Sequence, residues 1–432
     1  MKNNILYILL LLFIVASCKK TEDPVLRDVD ERLNEQIDAY QKQLEGSPFG
    51  WIGYILTDSE RVESFKFKFN NVNRVVMSST YKTADAESSY RIKAIQRPTL
   101  LFDTYSTIHL LADPTSSVFQ GATGSGFRSD FEFEFISSNP DTIKLEGTFN
   151  KSKLILVRAT SAEDFNGSFN ATNEMEKTIN NLKTYFKRAN IKGLETEVKL
   201  DAGGKSLMFS YLDGEEMKSV SSKFYVSGNN IFLFNPIELG GETIVSLEGI
   251  TYDASTGFIK GSINGSAIEI KEAIEPLKLD KDAAKLWYDQ LATNFNNCWV
   301  SDMAFHADGV DDFCKFRSIP NFVNLWYAGP AVFGPGVEGL IAFTGSFPGV
   351  FTATEIPPVI QDGIMTVKLR GTSGNFTSNT PDAVAMRSAR LIFYGGATAG
   401  STEKWYIIPT ASRRFDMVRV SDALAWISWR PR

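Results

Sequence analysis

"LETEVKLDAGGKSLMFSYLDGEEMKSVSSKFYVS" (residues 194–227) decides the fold class. Three strand-length runs, "LETEVKL", "SLMFSYL" and "SSKFYVS", alternate or cluster apolar residues. Ala202-Gly203-Gly204 and Asp213-Gly214 separate them, residues that accept the backbone of a tight hairpin turn. Connections this short join antiparallel neighbours, because a parallel pair needs a crossover of a dozen residues or more. "GGKS" (203–206) resembles the end of a phosphate-binding loop, but the earlier glycine of that motif falls on Lys199 and a strand pattern, not a helix, follows. A hairpin turn is the reading kept.

The same texture runs both ways along the chain. Upstream stand "FKFKF" (65–69), "DFEFEF" (130–135) and "KLILVRA" (153–159); downstream stand "NIFLFNPIEL" (230–239) and "AIEIKEA" (267–273). Helical spacing is found at three places: Leu33, Ile37, Tyr40, Leu44; Met175, Ile179, Leu182, Phe186; and Ala284, Tyr288, Leu291, Phe295. Steps of four, three and four put each set on one stripe of a helix. The fold expected is mainly β, of three tandem antiparallel modules, each a sandwich or partial barrel preceded by one amphipathic helix. Their spans are 25–165, 166–276 and 277–432, in keeping with a length too great for one core. "YAGPAVFGPGVEGLIAFTGSFPGVF" (327–351) is rich in glycine and proline and reads as exposed loop and sheet edge.

"LLLLFIVASCKK" (9–20) fixes the destination. Lys2 opens the chain with positive charge, Ile5 to Val15 are apolar, and Ala16-Ser17 are small, as a signal peptidase requires. The run is shorter than the roughly 20 residues that span a bilayer. A cysteine directly after two small residues is the bacterial lipoprotein pattern, which assigns 1–17 to a signal peptide, Cys18 to lipidation and 18–24 to a polar tether. The expected location is the cell envelope, held there by the lipid anchor. A net charge of −6, with no basic cluster after residue 20, argues against a nucleic-acid partner.

Cys298 and Cys314 remain as an even pair in an exported chain, candidates for a disulfide closing a loop of about fifteen residues and worth on the order of 3 kcal/mol. The alternative is two separate buried thiols. His306 lies between them, yet two thiols and one imidazole without a fourth ligand make a poor zinc site. Asp308, Asp311 and Asp312 in "HADGVDDF" (306–313) lack the ligand spacing of a calcium loop and read as an Asp-Gly turn. His109 sits among apolar neighbours in "STIHLLAD" and reads as structural. With no H-E-x-x-H, G-x-S-x-G or C-x-x-C in the chain, no catalytic residue, metal or cofactor is assigned. Six of the seven tryptophans follow residue 276. Aromatic faces are platforms for sugars and apolar peptide side chains, so Trp326, Tyr327, Trp405, Trp426 and Trp429 are the ligand-binding candidates, with Trp326 expected to be exposed.

"PTLLFDTYSTIHLLADP" followed by "GFRSDFEFEF", with "GWIGYIL" and the "SC" of the leader, resembles an uncharacterised, domain-of-unknown-function lipoprotein family of Bacteroidota. The resemblance is dense over 25–165 and thinner to 276. It implies anchoring in the outer membrane, on its surface or periplasmic face, and association with outer-membrane uptake systems of the starch-utilisation type and with neighbouring lipoproteins, and it carries no catalytic residues. The function expected is a non-enzymatic binding or accessory lipoprotein of nutrient uptake, for glycan or peptide. The alternatives are a secreted hydrolase without a recognisable motif and a structural subunit of an uptake complex.

Overall fold

The computed structural model describes residues 29–94, 97–346 and 349–432. The signal peptide, Cys18 and the tether lie outside them. The chain is mainly β and antiparallel, and it divides into two compact units, one ending at Asn166 and the other running Gly167–Arg432.

In the first unit the helix Val29–Glu45 precedes eight strands that close into a barrel. Closure comes from the strand Trp51–Leu56, which pairs with Val62–Phe69 on one side and with Lys153–Arg158 on the other. Strand alternation sends Phe65, Phe67 and Phe69 inward, where their rings stack at centroid spacings of 5.5 and 5.9 Å. The helix covers this core: Leu44 is buried in it, the Leu44 carbonyl accepts the Trp51 indole N–H at 2.9 Å, and Tyr40 stacks on Phe135 at 3.9 Å.

The second unit begins with the helix Ala171–Ile179, which buries Met175 and Ile179 in the core of a second closed eight-stranded barrel. Its first strand, Phe186–Ile191, pairs with its last, Ser266–Ala273. The apolar stripe continues to Phe186 in sequence, but the helix stops at Ile179. Asn181 folds its side-chain amide back onto the carbonyls of Lys177 and Thr178, at 2.9 and 3.3 Å, and satisfies groups a helix end leaves bare. Phe186 therefore opens the strand instead. "GGKS" is the turn between Leu194–Asp201 and Ser206–Asp213, which pair from Asp201 with Ser206 onward.

After the helix Ala283–Leu291 comes a third antiparallel sheet, from Cys298–Ser301 to Ala425–Pro431. Its two ends meet, since Trp299 and Val300 pair with Pro431 and Arg430. Phe305–Ala307 continues along the same strand edge, pairing with Ala425 to Ile427. The interior holds Trp287, Trp299, Trp405 and Trp429, and a long inserted helix, Pro381–Tyr394, adds Met386, Ala389 and Phe393. Phe295, the last residue of the third stripe, lies past the helix and is 65% exposed. Within the glycine-rich stretch, Gly339–Phe343 is an interior strand, contrary to the expectation of loop and edge. The left-handed glycines Gly334, Gly336, Gly345 and Gly349 lie outside it and confine the turns to its flanks.

The disulfide expected of Cys298 and Cys314 is not formed; both are free, buried thiols. Alternation along Cys298–Ser301 explains it. Trp299 faces the sheet interior with Cys314, whereas Cys298 faces the opposite side with Val300 and Trp326.

Beside the third sheet Glu338 is a buried carboxyl. Glu338 accepts the hydroxyls of Tyr327 and Tyr288 at 3.0 and 3.2 Å, and burial raises its pKa, those two hydrogen bonds opposing. A raised folded-state pKa means stability present below the unfolded value and lost as pH rises through the folded one. Glu338→Gln is therefore expected to melt higher than the natural protein at pH 8. That advantage should vanish below about pH 4, where the carboxyl is protonated in both states. Melting curves at the two pH values decide it; an advantage of the same size at both would refute the assignment.

Candidate functional site

A cleft of about 410 Å³ opens within the second unit, where the second barrel meets the outer side of the third sheet. Phe186 from the barrel packs with Tyr406, Val418 and Ala423 from the sheet, and the Tyr185 backbone N–H bonds to the Ala423 carbonyl at 2.8 Å. On the sheet's side, alternation turns Phe305, Ala307, Ile427 and Trp429 into the core and leaves His306, Trp426, Asp416 and Ser428 for the cleft wall. On the barrel's side stand Tyr185, Lys187, Lys199 and, before them, Lys183.

His306 is the most organised group there. It is the register partner of Trp426, and the two rings stack with centroids 3.6 Å apart and planes 18° apart. Asp308 and Gly309, both left-handed, reverse the chain and bring Asp311 back to the imidazole, whose Nδ1–H donates to Oδ1 at 2.6 Å. That leaves the lone pair on Nε2, an atom shielded from solvent with no partner among the described residues. Burial lowers the His306 pKa against the opposing pull of Asp311, so the ring is neutral near pH 7. Across the cleft, the Tyr185 hydroxyl donates to the buried Asp416 at 2.7 Å, and burial holds that phenol well above its ordinary range.

His109 differs in kind. Its Nδ1 accepts the Ser106 N–H at 3.1 Å and its Nε2–H donates to the Phe102 carbonyl at 3.0 Å, so both nitrogens are spent on local structure. Asp312 is occupied as well, accepting the backbone N–H groups of Phe316 and Arg317. Among the described residues no three potential metal ligands gather.

The tryptophan candidates need correcting. Trp326, Tyr327, Trp405 and Trp429 are each at most 1% exposed. Trp405 and Trp429 are turned into the sheet interior with Tyr327, and Trp326 is covered on the other side. The abundance of tryptophan after residue 276 reflects the volume of that interior. Of the five, only Trp426 lines the cleft. Trp426 and Trp429, three residues apart, do face opposite sides of the strand. The sequence reading passed over Tyr185, Lys187, Lys199 and Asp416, which share no local motif; they are brought together only when the barrel docks on the sheet.

The model of a family described as a domain of unknown function, DUF4302, matches residues 27–252. No curated protein matches the chain. Among solved structures, it is similar to an octameric penicillin-binding protein homologue from Pyrococcus abyssi (10% identity, TM-score 0.16, covering 34% of this chain and 36% of that one). It is also similar to a double mutant of the vaccine antigen transferrin binding protein B from Haemophilus parasuis (9%, 0.19, 85% and 65%). A third similarity is to the DNA polymerase III β subunit from Thermotoga maritima (9%, 0.15, 93% and 98%). The chain thus spans about a third of the first and just under two thirds of the second.

Proposed function

We propose, from the premise that the chain belongs to the DUF4302 family of domains of unknown function, that it is a non-enzymatic binding or accessory lipoprotein of the cell envelope. It serves an outer-membrane system that takes up glycan or peptide nutrients, of the type found in Bacteroidota. The leader ending at Ser17-Cys18 supports the anchor, and the resemblance of the first 276 residues supports the uptake setting. The cleft carries the binding role: a concave, mixed aromatic and polar wall of Trp426, His306, Tyr185 and lysines is the usual build of a small-ligand site.

Two expected results follow. Cys18→Ala leaves a full-length precursor that takes up no labelled palmitate; incorporation into the variant would remove the anchor. Against an array of glycans and peptides, the natural protein retains a ligand without forming product. Trp426→Ala weakens that retention about tenfold, as loss of an aromatic anchor does. Phe149→Ala, at an 86% exposed ring in the other unit, leaves it unchanged. Equal retention by Trp426→Ala would place the site elsewhere.

One observation favours the alternative of a secreted hydrolase: Asp311 orients His306 as a base is oriented. Ser428 lines the same cleft, but no hydrogen bond joins it to His306 among the described residues. Turnover of a retained ligand, abolished in His306→Ala, would decide for that reading.

A further inference from the structure

We propose that Lys187 is a reactive amine on which the cleft captures, as a reversible imine, a small aldehyde or ketone carrying an anionic group held by Lys183 and Lys199. The inference rests on the reading of this cleft as the ligand site.

Lys187 lies on the strand Phe186–Ile191 with the parity of Ala189 and Ile191, which are in the core of the second barrel. Its stem therefore runs along the inner side of the barrel, at the end that opens on the cleft. Several lysines of this unit are matched by a carboxylate at close range, among them Lys192 with Glu242, Lys260 with Asp253 and Lys368 with Glu355. Lys187 makes no such pair among the described residues, and its Nζ donates to the Thr184 carbonyl at 2.6 Å. The carboxylate opposite it in register is Glu272, whose Oε1 accepts the backbone N–H groups of Lys183 and Thr184. Two more lysines, Lys183 and Lys199, line the same cleft. A half-buried cation with its facing carboxylate engaged and like charges beside it is the environment that favours a neutral, nucleophilic amine. Consistently, burial and Lys199 bring the Lys187 pKa down to about 8, against Glu272 and Glu197.

The chemistry closes within the cleft. The Nζ lone pair attacks the carbonyl carbon; the C–N bond forms and the carbonyl oxygen becomes a hydroxyl. Loss of that hydroxyl with a proton breaks the C–O bond and leaves C=N, so both amine hydrogens depart in water. His306 lines the same cleft and keeps an unpartnered Nε2, which takes the proton from nitrogen and returns it to the leaving oxygen.

The probe is pyridoxal 5′-phosphate, an aldehyde carrying an anion, added to the mature protein at equimolar concentration. Borohydride traps the imine as a stable amine, and peptide mapping reports each lysine. Lys187 is expected to be labelled at least about tenfold faster than the exposed Lys285 and Lys218. Pyridoxal without phosphate is expected to label Lys187 several-fold more slowly. Lys187→Arg keeps stem and charge, and should lose the fast adduct while melting at the temperature of the natural protein. Labelling of Lys187 no faster than Lys285 overturns the imine, a result that needs no variant to fold. Indifference to the phosphate overturns the anionic group. If the imine fails while Trp426→Ala still weakens glycan or peptide retention, the cleft remains the ligand site and only its covalent chemistry falls.

Discussion

Asp130→Ala is expected to lower the melting temperature of the first unit by roughly 10 °C, a loss of about 3 kcal/mol. The carboxylate is 4% exposed and organises the turn between the strands Thr142–Gly147 and Lys153–Arg158. Oδ1 accepts the backbone N–H groups of Phe149 and Asn150 at 3.0 and 2.8 Å; Oδ2 accepts the N–H of Ser152 at 3.1 Å and its hydroxyl at 2.6 Å. Charge-assisted bonds of this kind are about twice as strong as neutral ones. Truncation strands three backbone donors and a hydroxyl at once, in a turn where Lys151 already holds a positive φ of 61°. Gly147 belongs to the same device: a Cβ there would overlap the Asp130 carboxylate, so Gly147→Ala should reproduce much of the loss. Asp130→Asn keeps an oxygen for Phe149 and Asn150 but turns an N–H₂ toward the Ser152 N–H, and should fall between. A melting temperature within about 2 °C of the natural protein for Asp130→Ala would show that the turn is held by its strands alone.

The β architecture was legible because it is local. Period-two alternation and short turns at Ala202-Gly203-Gly204 and Asp213-Gly214 dictate antiparallel neighbours, and the leading helices show in their stripes. Closure was not legible. It depends on pairs such as Trp51 with Arg158 and Phe186 with Ala273, far apart in sequence, and no local pattern distinguishes a barrel from a sandwich. The cleft was less visible still. Its best local signal was "HADGVDD", where a histidine and a carboxylate five residues on are joined by an Asp-Gly reversal; the segment read as an Asp-Gly turn, and nothing in that reading joined Asp311 to His306. Lys187 directly follows the apolar stripe that ends at Phe186, where the sequence reading placed no strand. Its importance comes from Glu272, across the barrel seam, being engaged by another part of the chain.

Trp326→Ala is expected to destabilise the second unit by about 3–5 kcal/mol, the ordinary cost of emptying a buried tryptophan site. At roughly 2–4 °C per kcal/mol for a unit of this size, melting should fall by about 10 °C. The sequence argued for an exposed ring, because Trp326-Tyr327 opens into a glycine-rich stretch. That stretch does the covering instead: Val332 and Phe333 of the short helix Pro330–Phe333, with Phe343 and Phe351, pack against the side of the sheet that carries Cys298, Val300, Trp326 and Ile341. Trp326 stacks on Phe343 with centroids 4.6 Å apart, the Arg432 guanidinium lies 4.4 Å above its ring, and its indole N–H bonds to Asn324. Glycines at the turns let the chain fold back across a sheet face that would otherwise be wet, so both sides of Asn324–Ala328 are buried. Trp326→Phe keeps most of the apolar area and should recover more than half of the loss, whereas Arg432→Ala, removing an edge contact, should cost about 1 kcal/mol or less. The contrast with Trp426→Ala separates the two tryptophans by readout: one change moves the melting temperature and leaves the cleft intact in the folded fraction, the other moves ligand retention. Should Trp326→Ala melt with the natural protein and lose ligand, the ring is a surface contact and Val332, Phe333 and Phe343 do not cover it.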